Sequence, residues 1–191
     1  PRYDILYLGH MTHWHHFNVI KYSNRPFSSL EEMNEVMIEK WNKKVGNNDT
    51  VYHLGDMFLT TRIEEIEPIL TRLNGRIRLL TGNHDKWVSK ITHIKGAEKI
   101  ILEPRLVETK MFVGRDKYDI TMCHYPMLQW NKSHYGAINL HGHSHGTLDE
   151  YNKGGNTIRF DVGVDSNWYE PISLEEIVAL ERPKIEMYKG T

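Results

Sequence analysis

Short apolar runs separated by amphipathic stretches set the expected elements of this chain. ILYL at 5–8 is an apolar run of strand length and reads as a buried strand. Residues 10–27 have no clear periodicity and carry His, Asn, Arg25 and Pro26, which predicts a long loop of the kind that bears function. Ser28-Ser29 followed by Glu31-Glu32 offers two overlapping capping boxes. Leu30, Met33, Val36, Met37, Trp41 and Val45 then recur at three- to four-residue steps, predicting an amphipathic helix over about 29–44. Gly46-Asn47-Asn48-Asp49 makes a turn into TVYHL at 50–54, a β-rich run bounded by Gly55. Residues 62–73 have helical spacing with Pro68 as an expected kink, Asn74-Gly75 ends that helix, and RIRLL at 76–80 is a third strand.

The second half has a different rhythm. Residues 105–113 and 118–125 flank Gly114-Arg115-Asp116-Lys117, a hairpin signal. Residues 137–143 and 157–165 read as further strands joined through a polar loop holding Gly154-Gly155, and 173–180 reads as a short capped helix. No repeat or linker interrupts this order, so residues 1–191 are expected to form a single α/β domain, with two packed sheets and helices outside.

Composition narrows the class. The chain has 191 residues, 39% hydrophobic and 26% charged, with a net charge of -1, so a broad electrostatic grip on nucleic acid is not expected. A single cysteine, Cys123, rules out an internal disulfide, no apolar stretch approaches the ~20 residues of a membrane span and no secretory signal is visible, so a cytoplasmic protein is expected. The unusual count is 12 histidines, the commonest metal ligands.

Four segments follow predicted strands directly: Gly55-Asp56, Gly82-Asn83-His84-Asp85, Cys123-His124-Tyr125-Pro126 and His141-Gly142-His143-Ser144-His145. Strand ends of α/β sheets converge on one edge, so these turns can meet in space. Their carboxylate, amide and imidazole donors suit Mn²⁺, Fe²⁺, Co²⁺, Ni²⁺ or Zn²⁺ better than calcium or a structural zinc.

This ordered set resembles the calcineurin-like metallophosphoesterases, whose motifs are Asp-X-His, Gly-Asp, Gly-Asn-His-(Asp/Glu), a His often followed by X-Pro, and Gly-His-X-His. Four of the five are present in order between residues 55 and 145. The stretch from His13 through Asn18 and Arg25-Pro26-Phe27 to HLGDM also resembles small bacterial and phage members. The resemblance implies a two-layer β-sandwich flanked by helices and a binuclear centre of two divalent metal ions. It implies that Asp56 bridges both metals, that Asn83, His124 and His143 complete one site, and that His13 and His145 belong to the other. His84 would act on the leaving group without binding metal, and Asp85 would orient His84. Two metals ~3.5–4 Å apart can hold a bridging hydroxide and clamp a phosphoryl group. A histidine such as His84 can supply a proton to the departing alkoxide, worth ~10²–10⁴-fold. The expected reaction is hydrolysis of a phosphodiester in a small nucleotide-like substrate. A phosphomonoesterase, including a protein phosphatase, and a metal-impaired binding or scaffold protein are the alternatives.

The first motif departs from the pattern: Met11-Thr12-His13 stands where Asp-X-His is expected, so one metal site lacks its private carboxylate. Three readings stay open. Gly9-His10-Met11 resembles a cloning junction, which would make residues 1–11 partly vector-derived. Methionine can instead be natural, with one site weak, vacant or rebuilt from His10, His15 or His16. Finally, the position can have been altered or misread. Substrate contacts are expected from Arg25, which can hold a phosphate at two points, from Asn18, and from Trp87, which can stack on a base. Trp130 and His134 are candidates to wall the pocket, whereas His53 and His141 are expected beside the metals without binding them. His93 is expected at the surface and Cys123 buried.

Overall fold

The computed structural model describes residues 6–189; Ile5 of the first predicted strand lies outside them. The first strand, β1 (Leu6–Gly9), pairs in parallel with β2 (Thr50–His53), which pairs in parallel with β3 (Arg76–Leu80). An edge strand β4 (Ile100–Glu103) continues the parallel set beyond β3, and a two-residue strand β9 (Ile172–Ser173) pairs antiparallel on the other side of β1. The second sheet has the order β5 (Leu106–Val113), β6 (Asp116–Cys123), β7 (Ile138–His141), β8 (Ile158–Asp161), with β5 antiparallel to β6 and the other pairs parallel. The molecule is therefore an α/β fold of two mixed sheets flanked by helices.

The alternation of side chains along the strands explains the layering. Tyr7, Val51, Ile77 and Leu79 share one core with Met33, Met37 and Trp41 of helix α2 (Leu30–Lys44) and Ile66 and Leu70 of helix α3 (Ile63–Leu70). Their sequence neighbours Leu8 and Leu80, with Leu54, share a second core with Ile120, Met122, Ile138 and Leu140 of the other sheet. The first sheet is thus covered on both faces, and its strands read as near-continuous apolar runs.

The long helix starts where its capping signal lies: Ser29 Oγ accepts from Glu32 N at 3.0 Å, and Ser28 donates to Glu32 Oε2. Glu31 and Glu32 in its first turn and Lys43 and Lys44 in its last complement the helix dipole. Pro68 does not break α3, which runs through it to Leu70. The hairpin turn is two residues long, tighter than the four expected, because Val113 pairs with Asp116 and Gly114 supplies φ +61.

Among the described residues several short pieces are not expected from the sequence: helix α1 (Phe17–Tyr22) inside the expected loop, the 3-10 helix over Lys86–His93, α4 (Asp149–Gly154) in the polar connection, β4, β9 and helix α6 (Arg182–Lys189). Between α4 and α6, the helix α5 (Leu174–Leu180) has the capping box expected of it: Ser173 Oγ accepts from Glu176 N at 3.1 Å, and Glu176 Oε2 accepts from Ser173 N at 2.7 Å. Ser173→Ala is expected to lower unfolding stability by about 1 kcal/mol, read as a lower urea midpoint at unchanged slope. Among the described residues no helix is long and apolar enough to cross a membrane.

The register fixes where function can sit. Gly9 pairs with His53 and His53 with Leu79, so β1, β2 and β3 end level with one another. In the second sheet Met122 pairs with Leu140 and His141 with Asp161, so β6, β7 and β8 also end together. Every motif-bearing turn leaves one of these strand ends.

Candidate metal centre

The turns after β2 and β3 approach so closely that no side chain fits between them. A Cβ on Gly82 would lie 2.3 Å from Asp56 Oδ1 and 2.5 Å from His124 Cε1, and one on Gly55 would lie 2.3 Å from Gly82 N. Asp85 locks this contact. Its carboxylate accepts from Asp56 N at 2.7 Å, Met57 N at 2.8 Å, Gly82 N at 2.8 Å and Trp87 Nε1 at 2.9 Å. Asp85 therefore holds the loop of Asp56; it does not orient the His84 ring, because both its oxygens are committed to these four N–H groups.

Four donor atoms converge on this platform. His124 Nε2 lies 2.9 Å from Asn83 Oδ1, 3.2 Å from His143 Nδ1 and 3.5 Å from Asp56 Oδ2. The ligand atoms of Asp56, His124 and His143 all fall within 4.8 Å of one another. The proton inventory shows what such a group needs. His124 Nδ1 faces the Leu54 carbonyl at 3.0 Å and His10 Nε2 at 2.7 Å; in the tautomer that donates to the carbonyl, Nε2 is bare. In that tautomer Nε2 points a lone pair at acceptor oxygens. Asp56 Oδ2 is buried without a hydrogen-bond partner, while Oδ1 accepts from His84 N at 2.8 Å. Converging lone pairs around a buried, unpartnered carboxylate oxygen fit a divalent cation, and the O/N donor set fits the borderline metals.

A second group adjoins the first. His13 and His145 stack with ring centroids 5.2 Å apart and planes 9° from parallel. Both ring nitrogens of His13 are buried and unpartnered. Burial, then the Arg25 charge and the neighbouring histidines His145, His16 and His84, lower the His13 pKa to about 2, so its imidazole is neutral. His145 Nδ1 meets Asp165 Oδ2 at 2.7 Å and Ser23 Oγ at 3.0 Å. The ring of His84 is exposed, 6.0 Å from that of His13. Burial also lowers the pKa values of His143 and His10, helped by His124, and that of His53 to about 4. Neutral imidazoles are the form that binds metal.

The backbone is strained at the same places. Non-glycine residues seldom take φ above zero, yet Met11, His13, Asp56, His143 and His145 have φ of 55, 47, 51, 64 and 48°. Such strain gathers where a site over-determines the chain.

All six expected ligands, His13, Asp56, Asn83, His124, His143 and His145, therefore lie in these two adjoining groups. The substrate residues are placed differently. Arg25 has a fully buried side chain paired with Asp165, so it is not a phosphate-gripping group. Trp87 is fully buried, edge-on to Phe58, and so cannot stack on a base. Trp130 is also buried, donating to the Ala137 carbonyl, whereas His134 is exposed beside Tyr135. Asn18 is exposed on α1, two residues beyond His16. His53 and His141 sit in the interior, bonded to Thr12 and Asn152, and His93 is exposed, as expected. Cys123 is only half-buried. His15 lies 3.4 Å from Glu65, while His10 lies inside the centre, its Nε2 2.7 Å from His124 Nδ1. Gly142 closes over His10, leaving no room for a Cβ.

Sequence reasoning missed Asp165 and Tyr125. Asp165 lies in the turn after β8 and follows the same strand-end rule that singled out Asp56. Tyr125 is 47% exposed and packs edge-on against both His124 and His143, with its hydroxyl 3.4 Å from Asn83 Oδ1. It is a half-open aromatic cover on the first group.

Fold and site together define a two-sheet α/β protein with a candidate divalent-metal centre at its strand ends. The chain belongs to the family of the uncharacterized protein MJ1445 of Methanocaldococcus jannaschii, to which it is 37% identical over 186 residues, 94% of this chain and 93% of that one. It is also similar to the Gene 66 proteins of Mycobacterium phages L5 and D29, at 26% identity over 171 residues and 24% over 159. These alignments cover 79% and 74% of this chain and 82% and 79% of the phage proteins. The crystal structure of a protein of unknown function, AQ665 from Aquifex aeolicus, has the same fold, with a TM-score of 0.68 at 23% identity over 93% of this chain and 99% of that one. No family model matches the sequence.

Proposed function

We propose that this protein is a metal-dependent phosphoesterase of the calcineurin-like type, acting on a phosphodiester of a small nucleotide-like substrate. The observation that carries the reading is the convergence of Asp56, Asn83, His124 and His143 from four separate strand-end turns, with Asp56 Oδ2 buried and unpartnered among them. These four would hold one cation, and His13 and His145, with Asp56 shared, a second. When bound, such cations supply an acidified water and offset the charge of the phosphate oxygens. The chain's own residues do the rest. Asp56 keeps a carboxylate fixed by His84 N, and Asp85 holds the Asp56 and Gly82 turns together. His84 offers an exposed imidazole to protonate the leaving oxygen. The exposed edge formed by Asn83, His84 and His143 leaves the substrate side open.

The test is hydrolysis of bis-p-nitrophenyl phosphate against p-nitrophenyl phosphate with added Mn²⁺. Preference for the diester is the expected result. Preference for the monoester favours a phosphomonoesterase, and absence of both activities with metal bound sinks the enzymatic reading. Met11 favours a second reading, a binding or scaffold protein with an impaired centre, since a buried thioether replaces the expected carboxylate. The two readings part on Met11→Asp. The φ of 55° at this position suits aspartate better than methionine. Met11→Asp is expected to tighten metal uptake at the His13–His145 half and to raise turnover by about tenfold or more, the scale of a 1.4 kcal/mol gain. Equal metal content and equal rate in both forms would count against an impairment by Met11.

A further inference from the structure

The Arg25–Asp165 pair does more than fill the interior. Arg25 Nε lies 2.7 Å from Asp165 Oδ1 and Nη2 lies 3.0 Å from Oδ2, a two-point contact with both side chains buried. The same guanidinium donates from Nη2 to the Met11 carbonyl at 2.8 Å and from Nη1 to the Thr12 carbonyl at 3.1 Å. Those two carbonyls belong to the turn that delivers His13. The same Oδ2 of Asp165 also accepts from His145 Nδ1 at 2.7 Å. One buried pair thus grips both members of the His13–His145 stack.

A carboxylate oxygen accepts, so Asp165 Oδ2, 2.7 Å from Nδ1, holds the His145 proton there and leaves Nε2 as a bare lone pair. The carbonyl contacts of Arg25 hold the strained turn at Met11 and His13. A buried ion pair alone adds little net stability over an apolar pair of similar volume, so its hydrogen bonds into two site loops call for another purpose.

We infer that Arg25 and Asp165 are positioning residues that hold His13 and His145 as an imidazole pair for a second divalent cation, in place of a ligand carboxylate at position 11. The inference rests on the metal reading above and adds the element that keeps the weaker half of the centre assembled.

The test is a titration of the full chain with Co²⁺, followed by visible absorption, alongside thermal unfolding. Wild type is expected to show two binding phases. The double variant Arg25→Met with Asp165→Leu swaps the pair for apolar residues without leaving a buried charge unpaired, and thermal unfolding checks that it folds. It should retain the first phase and weaken the second by about 10–100-fold. Asp165→Asn keeps an acceptor for His145 and should fall between the two, a partial rescue that a merely structural role would not give. A second phase unchanged in the folded double variant and in Asp165→Asn overturns the inference while the metal reading stands, as does a wild type with a single phase. A wild type that binds no Co²⁺ overturns the metal reading itself.

Discussion

Asp56→Asn is expected to cut phosphodiester turnover by about 10³-fold or more, because charge stabilisation worth about 4 kcal/mol is lost with the carboxylate. Asp56 is the one carboxylate among the four converging donors, and its Oδ2 has no hydrogen-bond partner. Asparagine keeps the shape and still accepts from His84 N, so the loop should hold its form. The metal-free variant should then be at least as stable as the metal-free parent, since a buried, unpartnered anionic oxygen has been neutralised. Steady-state kinetics with bis-p-nitrophenyl phosphate, with thermal unfolding in chelator, check both halves. A rate within a few-fold of the parent, or a less stable variant, would contradict this role for Asp56.

The largest loss of stability is expected at Asp85, not at a ligand. Asp85→Ala strands three buried backbone N–H groups, those of Asp56, Met57 and Gly82, together with the Trp87 indole. Each unsatisfied buried donor costs about 1–3 kcal/mol, and the effects are not fully additive, so a loss of at least about 4 kcal/mol is expected. That is a large part of the 5–15 kcal/mol typical of a domain. Urea unfolding of the metal-free protein reads it directly. A loss under about 1 kcal/mol would mean that the Gly55–Gly82 contact does not depend on this carboxylate.

These two residues show what sequence reasoning reaches and where it stops. Asp56, Asn83, His124 and His143 were legible because each directly follows a strand with a clear apolar signature, and parallel strands of one sheet end together. The helix at 30–44 was legible because its cap, period and terminal charges agree. Asp85, Arg25 and Trp87 lie near the site, but their side chains support loops and core instead of serving substrate or the His84 ring. A polar residue beside a motif looks the same in sequence whether it faces substrate or supports the loop, and only burial and partners separate the two. Asp165 was hidden for a related reason. It pairs with Arg25 across 140 positions, and no local period encodes that contact. The missed β4 and α4 are short, and β4 is half-exposed at a sheet edge, so neither carries enough apolar pattern to stand out from a loop.

The central requirement is that turns distant in the chain share one cation. The most direct measurement is anomalous scattering from a crystal of the full chain equilibrated with Mn²⁺, collected near the metal edge. The expected map has a peak bonded to Asp56, Asn83, His124 and His143 together. A map without a peak there, or with those four side chains turned away from a common point, would contradict the proposed centre and the chemistry built on it.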